Sequence, residues 1–326
     1  MRVGIIGVGS ITPIHIRALM QHDQEIVALC DVDAKRCESA AKQFGLNVKI
    51  FQNYKEMLDG VALDTIHICT PHYLHAEMIC EGLKRDIHVL CEKPLAINEE
   101  QLNEIEKVVK TTKAQLGVCF QNHYNEAVLY VKEFLKGKSI RCASANLIWE
   151  RNAEYYGSGA WRGTWDQEGG AVMINQAIHS LDLLQWLCGM PENVIGHISN
   201  NSLQGIIEAE DTAFGLYGLE NGGNFIVTAT NAGKFCFPIY YTFRTDEDTI
   251  ELSGDNIIIN GHFITKSDGL PLYGKDVWGT GHAKLIGDFY DCLKTGRQFP
   301  IGFYEGRNSV LLFRGLYRSK GEKIYF

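Results

Sequence analysis

Residues 2–16 read RVGIIGVGSITPIHI, and this stretch decides the fold. Residues 3–6 are an apolar run of the kind that forms a buried parallel strand. Gly7 and Gly9 follow directly, and glycine lets a chain turn tightly close to a ligand. Thr12-Pro13 then signals a helix start, where free N–H groups can hold a pyrophosphate. The stretch therefore predicts a dinucleotide-binding loop, with Gly7, Gly9, Ser10 and Ile11 as cofactor contacts.

A carboxylate further along the chain strengthens this prediction. Asp31 closes a second apolar run, about 20 residues beyond the glycines, where a carboxylate hydrogen-bonds a ribose diol. The same carboxylate would repel a 2′-phosphate, and no Arg follows it immediately. NAD is therefore favoured over NADP as the cofactor. Thr12 replaces the third glycine of the fingerprint, and the alternative is a strand–turn–helix unit that binds nothing.

Length and composition narrow the class of protein. The chain has 326 residues, enough for two domains, and 45% of them are hydrophobic. The formal net charge of -8 argues against nucleic acid and against anionic membranes as partners. No apolar run approaches the roughly 20 residues that span a bilayer. Because the first strand begins at residue 2, we expect no signal peptide.

The cysteines agree with a reducing compartment. The sequence has ten Cys, none in a Cys-x-x-Cys pair, and Cys69, Cys91 and Cys119 lie within apolar runs. They are interpreted as small buried hydrophobic residues and not as disulfides. The expected location is the cytoplasm. No His or Cys spacing typical of a metal site is present, so no metal is predicted.

The chain is predicted to divide into two domains. In residues 1–122, strands alternate with helices, which indicates a doubly wound parallel sheet of the Rossmann type. In residues 123–326 the pattern is α+β with a large, mainly antiparallel open sheet, and Asn221-Gly222 marks a hairpin within it. We expect the open face of such a sheet to pack against another protein surface. A homodimer or homotetramer formed through the sheet of the second domain is one solution.

The first cluster of residues able to take part in a reaction is Glu92-Lys93-Pro94. It lies at the carboxyl end of a strand predicted over residues 87–91. Ligands of parallel sheets bind outside these strand ends. A Lys there can hold the proton of a reacting hydroxyl, especially if burial lowers its pKa. The alternative is a solvent-exposed ion pair between Lys93 and Glu92.

The second cluster lies on a helix predicted over residues 170–187. Asn175, His179 and Asp182 recur at i, i+4 and i+7 and would share one face of a regular helix. Because residues 171–188 contain no Lys or Glu, this polar stripe is predicted to line an enclosed wet cavity. Asp182 could orient the imidazole of His179 or meet a substrate hydroxyl.

Two loops complete the candidate site. The run from Thr70 to His75 ends the strand at residues 65–69, so Thr70 and His75 are predicted to contact the cofactor, whereas His15 is expected to be structural. The aromatic loop at residues 154–165 (EYYGSGAWRGTW) has the composition of a sugar-stacking surface or a lid. Tyr156 and Arg162 in this loop, together with Asn125, are predicted to bind substrate.

Together these motifs resemble the Gfo/Idh/MocA family of NAD(P)-dependent oxidoreductases. The resemblance rests on the Gly7-x-Gly9 turn, Thr70-Pro71 with His75, Glu92-Lys93-Pro94, and the helix that carries His179. It implies a Rossmann domain followed by an open-sheet domain, and sugars, inositols or related polyols as substrates. It also implies that Lys93 is the catalytic Lys and that His179 is its acid/base partner.

One position departs from the family pattern. Many members carry Asp where this chain has Asn175, and Gly where it has Ala177. Asn can hydrogen-bond a hydroxyl but cannot take its proton. The predicted reaction therefore has His179, assisted by Lys93, remove a hydroxyl proton while the nicotinamide receives the hydride. The alternatives are an NAD-retaining lyase or glycosidase and a dinucleotide-binding sugar sensor without catalysis.

Overall fold

The computed structural model describes residues 1–269 and 280–326. Of these, residues 1–121 and 280–307 form one compact unit, and residues 122–269 and 308–326 form a second. The second domain is predicted to comprise residues 123–326. The structure corrects this boundary, because residues 280–307 belong to the first unit. Their helix packs against the first helix of the chain, where Gly287 leaves room for the ring of His22. Such a contact between distant segments leaves no local sequence signal.

The first unit contains the expected alternation of strands and helices. Its strands form one parallel sheet in the order β3-β2-β1-β4-β5-β6. The strand order reverses between β1 and β4, and the carboxyl ends at this point form the crevice in which doubly wound sheets bind ligands. The elements are β1 (Arg2–Ile6), α1 (Thr12–Gln21), β2 (Glu25–Cys30), α2 (Ala34–Phe44), β3 (Lys49–Phe51), α3 (Tyr54–Gly60), β4 (Thr65–Ile68), α4 (His75–Leu83), β5 (His88–Cys91), α5 (Glu99–Val109) and β6 (Leu116–Val118), with α9 (Gly281–Thr295) added from later in the chain.

Two boundaries in this unit differ from expectation. A helix is predicted over residues 73–85, but a 3-10 turn (His72–Leu74) precedes α4. Pro71 fixes an extended conformation there, so the chain enters the helix through a tighter turn. The strand predicted over residues 114–120 is confined to β6, whose three residues are all buried.

The second unit is built on a nine-stranded sheet in the order β14-β13-β12-β11-β7-β10-β9-β8-β15. All neighbours are antiparallel except β7 and β10. The predicted Asn-Gly hairpin joins β9 to β10. The elements are α6 (Glu126–Leu135), β7 (Cys142–Ile148), α7 (Ala153–Gly157), α8 (Ile178–Cys188), β8 (Asn193–Ser199), β9 (Thr212–Gly218), β10 (Asn224–Thr230), β11 (Tyr240–Arg244), β12 (Thr249–Ser253), β13 (Asn256–Ile259), β14 (His262–Thr265), the later part of α10 (Phe303–Ser319) and β15 (Ile324–Tyr325).

The helix predicted over residues 170–187 is not one regular helix. A π-helical segment (Val172–Gln176) comes first, and α8 begins after Ala177. Gly170 has a φ of +143°, and a Cβ there would lie 2.1 Å from the hydroxyl oxygen of Tyr317. The close approach of a buried tyrosine therefore sets the start of this segment. As a result, Asn175 is not in the α-helical register with the residues of α8.

One further element of the second unit differs from its prediction. The alternating segment predicted over residues 256–264 is a hairpin of β13 and β14, because Asn260 and Gly261 both take positive φ angles. The strands alternate buried and exposed residues, which gives the sheet one covered and one open face.

Within the described ranges, no helix is long and apolar enough to cross a membrane.

Candidate active site

The glycine loop after β1 has the geometry of a phosphate-binding turn. Gly7 has a φ of +89°, and a Cβ added to it would lie 2.6 Å from the carbonyl oxygen of Cys69. The side chain of Thr12 donates to the carbonyl of Gly7 at 2.8 Å and accepts from the N–H of Gly9 at 3.1 Å. Thr12 therefore fixes the turn at the position of the missing third glycine. Gly9 and Ser10 are exposed, and no atom lies within 4 Å of a Cβ built on Gly9.

The carboxylate of Asp31 is held beside this loop. It accepts from the backbone N–H of Val8 at 2.7 Å and from that of Asp33 at 3.0 Å. Asp31 directly follows β2 and is partly exposed. A carboxylate held here, with an open glycine loop next to it, fits the adenosine ribose and pyrophosphate of a dinucleotide. The residues present therefore fit NAD.

The two glycines should respond differently to alanine. Gly7→Ala forces a strained φ and a clash with the backbone of Cys69, so we expect a lower melting temperature and loss of NAD binding. Gly9→Ala meets no protein atom, so the fold should keep its melting temperature while the added methyl group weakens NAD binding. Thermal unfolding and NAD titration measure both effects. Equal destabilisation by both substitutions would contradict this account of the loop.

His75 lies at the predicted place but in another role. Its side chain is fully buried, Nδ1 lies 2.7 Å from the carbonyl oxygen of Pro94, and Nε2 lies 2.9 Å from that of Thr70. Burial lowers the pKa of His75. The predicted contact between His75 and cofactor is therefore wrong. His75 instead joins the loops after β4 and β5, and Thr70, which is partly exposed, stays a predicted cofactor contact.

Glu92 is buried, and its partner is a histidine. Its Oε1 lies 3.0 Å from Nε2 of His15 and 3.7 Å from Nε2 of His282. Burial alone would raise the pKa of Glu92, but hydrogen bonds from both histidines hold it well below its usual range. The alternative of a solvent-exposed Lys93–Glu92 pair is therefore wrong, and contact of Glu92 with cofactor stays a prediction. Lys93, partly exposed after β5, is joined to Pro94 by a cis peptide bond.

A buried polar chain continues from Glu92 into the unit. His15 Nδ1 lies 2.8 Å from His67 Nδ1, and His67 Nε2 lies 2.9 Å from the hydroxyl of Tyr290. Burial and the neighbouring His15 lower the pKa of His67 well below its usual value. His15 is thus a structural residue. Potential ligand atoms of His15, Glu92 and Cys119 lie within 4.8 Å of one another, a grouping that the sequence spacing did not indicate.

In the second unit, Asp182 is structural. Its side chain is fully buried, Oδ2 lies 2.6 Å from Nε2 of His123, and Oδ1 accepts from the hydroxyl of Ser309 at 3.3 Å. The predicted contact of Asp182 with a substrate hydroxyl is therefore wrong, and its ring partner is His123. The imidazole of His123 also stacks on Trp186, with ring centroids 3.9 Å apart. This pairing joins residues far apart in sequence.

The two adjacent tyrosines of the aromatic loop, Tyr155 and Tyr156, have different surroundings. Tyr156 is 5% exposed, and its hydroxyl accepts from Nδ2 of Asn231 at 2.8 Å, so the predicted substrate contact is wrong. The hydroxyl of Tyr155, in contrast, is the centre of a cluster of polar side chains. Its hydroxyl accepts from Nη1 of Arg162 at 2.9 Å, from Nε2 of Gln176 at 3.1 Å and from Nδ2 of Asn175 at 3.3 Å.

Asn175 is held by a buried carboxyl group that the sequence analysis did not identify. The amide of Asn175 donates to Oε1 of Glu168, and the backbone N–H of Gly163 donates to Oε2. Glu168 is fully buried. The neutral amide of Asn175 can donate a hydrogen bond to this carboxyl, which an ionised Asp could not do. The signal in the sequence was an acidic residue directly before Gly169-Gly170.

A second buried carboxyl group fixes the start of the π-helical segment. Glu210 accepts from the backbone N–H groups of Ala171 and Met173, each at 3.0 Å, and from the hydroxyl of Tyr317 at 2.7 Å. Burial raises its pKa. Because N–H groups at the start of a helix lack intrahelical partners, this carboxyl stabilises the segment that carries Asn175.

Glu168 should give a measurable pH dependence of stability. Burial raises its pKa from 4.5 to about 7, while Gly163, Arg162 and Asn175 oppose the shift and Glu210 adds to it. An acid with a raised pKa in the folded state stabilises the fold at low pH and loses that contribution as the pH rises. Between pH 4.5 and 7, wild type should lose about 3 kcal/mol relative to Glu168→Gln. Urea unfolding of both proteins across this range measures it, and parallel pH profiles would contradict it.

The remaining predicted site residues stay predictions. His179 lies in the first turn of α8 and is partly exposed. Asn125 directly precedes α6, and its side chain makes no cap hydrogen bond. Arg162 is partly exposed beside Tyr155. Within the second unit, Arg162 and Asn175 share Tyr155 as a hydrogen-bond partner.

Comparisons with known proteins agree with this geometry. Residues 1–121 match the oxidoreductase family with an NAD-binding Rossmann fold, GFO_IDH_MocA, and residues 138–256 match the C-terminal domain of the GFO/IDH/MocA family. The chain is 25% identical over 244 residues to D-glucoside 3-dehydrogenase of Escherichia coli, with 68% of each protein covered. It is 28% identical over 250 residues to 2,7-anhydro-N-acetylneuraminate hydratase of the same organism, covering 73% of this chain and 63% of that protein.

The solved structures extend the likeness to the whole chain. The WlbA dehydrogenase of Bordetella pertussis, in complex with NADH and UDP-GlcNAcA, has a TM-score of 0.87 and 26% identity. The comparison covers 100% of this chain and 98% of that protein. The glycine loop with Asp31, the loops joined by His75 and the matches of both domains lead to one assignment. This chain belongs to the GFO/IDH/MocA family of oxidoreductases, and its first unit carries the family's NAD-binding Rossmann fold.

Proposed function

We propose that this protein is an NAD-dependent oxidoreductase acting on a hydroxyl or carbonyl carbon of a sugar, inositol or related polyol. The observation that carries the proposal is the crevice edge of the first sheet. There His75 joins the loops after β4 and β5, and Lys93 follows the buried carboxylate of Glu92. Dehydrogenases among the relatives, including the D-glucoside 3-dehydrogenase, support the substrate class.

In this proposal each residue has a limited task. Gly7, Gly9, Ser10, Ile11, Asp31 and Thr70 hold the cofactor, which supplies hydride acceptor chemistry when it is bound. Lys93 places a positive charge and a transferable proton beside the reacting oxygen. His179 takes the hydroxyl proton, because the amide of Asn175 cannot. Asn175, Arg162 and Asn125 orient the substrate.

The test is a screen for turnover. Purified protein is incubated with NAD and with NADP against a panel of hexoses, inositols, uronic acids, sugar phosphates and UDP-GlcNAcA, and NADH formation is followed. We expect one substrate class to reduce NAD, with NADP less effective because of the Asp31 carboxylate. Ligand-dependent rises in melting temperature identify slow substrates. Absence of both turnover and sugar binding across the panel would reject the proposal.

A second candidate function has a specific observation behind it, the likeness to a hydratase. The same residues would serve an NAD-retaining lyase or glycosidase, in which an oxidised intermediate is reduced again before release. Such an enzyme would convert substrate without net NADH accumulation and would purify with bound cofactor. Steady NADH accumulation rejects this candidate, and dinucleotide and sugar binding without any conversion would favour a sensor.

We also propose that the open sheet face forms a homodimer or homotetramer. Phe214, Leu216 and Ile226 are exposed on this face, and Leu216 pairs in register with Ile195 and Ile226. An exposed apolar row of this kind is typical of a subunit interface. Leu216→Glu should therefore shift the protein to monomers in light scattering after gel filtration, whereas Met20→Glu on α1 should not. A monomeric wild-type protein would contradict the proposal.

A further inference from the structure

Two arginines of the second unit each lie close to the centres of two aromatic rings. The guanidinium carbon of Arg151 lies 4.9 Å from the ring centre of Trp149 and 4.8 Å from that of Tyr155. The guanidinium carbon of Arg162 lies 4.6 Å from the ring centre of Tyr155 and 4.6 Å from that of Trp161. We call these five residues the arginine–aromatic stack. It brings two positive charges to one tyrosine ring.

The stack contacts the predicted substrate residues of the second unit. The hydroxyl of Tyr155 accepts from Nη1 of Arg162 at 2.9 Å and from Nδ2 of Asn175 at 3.3 Å. Tyr155, Arg151 and Arg162 are all partly exposed. A ligand that reaches Asn175 is therefore close to the guanidinium edges of the stack.

The charges around the stack do not balance. In the parts of the chain that the structure describes, neither Arg151 nor Arg162 forms an ion pair with a carboxylate within 4.0 Å. Glu150 and Glu154, the acidic residues adjacent in sequence, are exposed to solvent. The buried carboxyl of Glu168 accepts hydrogen bonds from Asn175 and from the backbone of Gly163, and it is one carboxyl group beside two guanidiniums. Position 175 carries a neutral amide.

Aromatic stacking suits a guanidinium for binding an oxyanion. The ring faces hold the planar group in one orientation. Nη1 of Arg151 donates to the carbonyl oxygen of Glu150 at 2.7 Å, and Nη1 of Arg162 donates to the hydroxyl of Tyr155, so a ligand would meet the remaining N–H groups. Two fixed N–H edges then match the oxygens of a carboxylate or phosphate, and the entropy lost on binding is small. A purely structural stack would need no such surplus of positive charge.

We propose that Arg151 and Arg162 form an oxyanion subsite, so that the substrate is an acidic sugar derivative carrying a carboxylate or a phosphate. This inference rests on the proposed sugar oxidation and names the substrate class. Neutral polyols are then poor ligands. Carboxylate and phosphate share the chemistry that two guanidiniums recognise, so matched probes must separate them.

The experiment compares probes that differ in charge. Binding of glucose, glucuronate, glucose 6-phosphate and inorganic phosphate to the NAD-loaded protein is measured by calorimetry. We expect at least one anionic sugar to bind tenfold or more tightly than glucose, and glucuronate against glucose 6-phosphate decides between carboxylate and phosphate. The double variant Arg151→Gln/Arg162→Gln should lose this preference. Arg36→Gln, a substitution at an exposed arginine of α2, should keep it.

Further variants separate charge from folding. Arg151→Lys/Arg162→Lys keeps both charges and should retain part of the preference, even if the Gln variant has a lower melting temperature. Glucose binding as tightly as every anionic sugar, an unchanged preference in the Gln variant, or failure of every anionic probe to bind wild type would each overturn the inference. Tight anion binding without turnover would support the subsite and count against the proposed oxidation.

Discussion

Lys93→Met should lower kcat by about a thousandfold on the substrate found by the screen, the middle of the range for general acid–base catalysis. Met keeps the length of the side chain but carries neither charge nor proton. Because Lys93 directly follows the buried Glu92, its backbone position is fixed by contacts that the substitution does not touch. We therefore expect the melting temperature and the affinity for NAD to stay close to wild type.

A matched control separates this effect from loss of a surface charge. Lys84→Met removes an exposed lysine that pairs with Glu81 at 3.2 Å, and kcat should stay within about twofold of wild type because exposed pairs contribute little. Steady-state rates at saturating NAD give both numbers. A Lys93→Met enzyme that retains a tenth or more of wild-type turnover would remove Lys93 from the proposed chemistry.

His179→Ala should lower kcat by about a hundredfold to a thousandfold and should change the pH profile. The wild-type rate rises with pH as an imidazole base loses its proton, and this rise should be absent in the variant. Added imidazole should restore part of the rate. His179 lies at the start of α8, and this helix is also held by buried hydrogen bonds of Asp182 and Ser180. The fold should therefore tolerate the change.

The pH profile distinguishes a base from a residue that only binds substrate. His262→Ala, at an exposed position on β14, serves as the control and should leave kcat and its pH dependence unchanged. If His179→Ala raises KM while the shape of the kcat profile is retained, His179 binds substrate and another group takes the proton.

The Rossmann half of the chain could be predicted from sequence because its signals are local. A buried apolar strand, a glycine with positive φ and a proline at a helix start act over a few residues, and β1 and α1 form where the pattern placed them. The Asn-Gly hairpin between β9 and β10 was predicted for the same reason. In each case the backbone preference of one or two residues decides the conformation.

The candidate site was predicted less completely, because its partners are distant in sequence. Periodicity placed Asn175, His179 and Asp182 on one helix face, but buried contacts of Gly170 and Glu210 with Tyr317 accompany a π-helical segment there. The sequence also gave no means of choosing between Tyr155 and Tyr156. Burial against Asn231 decided that choice.

By itself the sequence determined the cofactor-binding fold and the family resemblance, and it predicted Lys93 and His179 as the catalytic residues. Only the tertiary structure decided which polar residues are buried partners, since desolvation requires each buried carboxyl or imidazole to find a hydrogen bond wherever the chain supplies one. That requirement paired Glu92 with His15, Asp182 with His123 and Asn175 with Glu168. It also placed Arg151 and Arg162 beside the ring of Tyr155, where we propose that they bind an oxyanion.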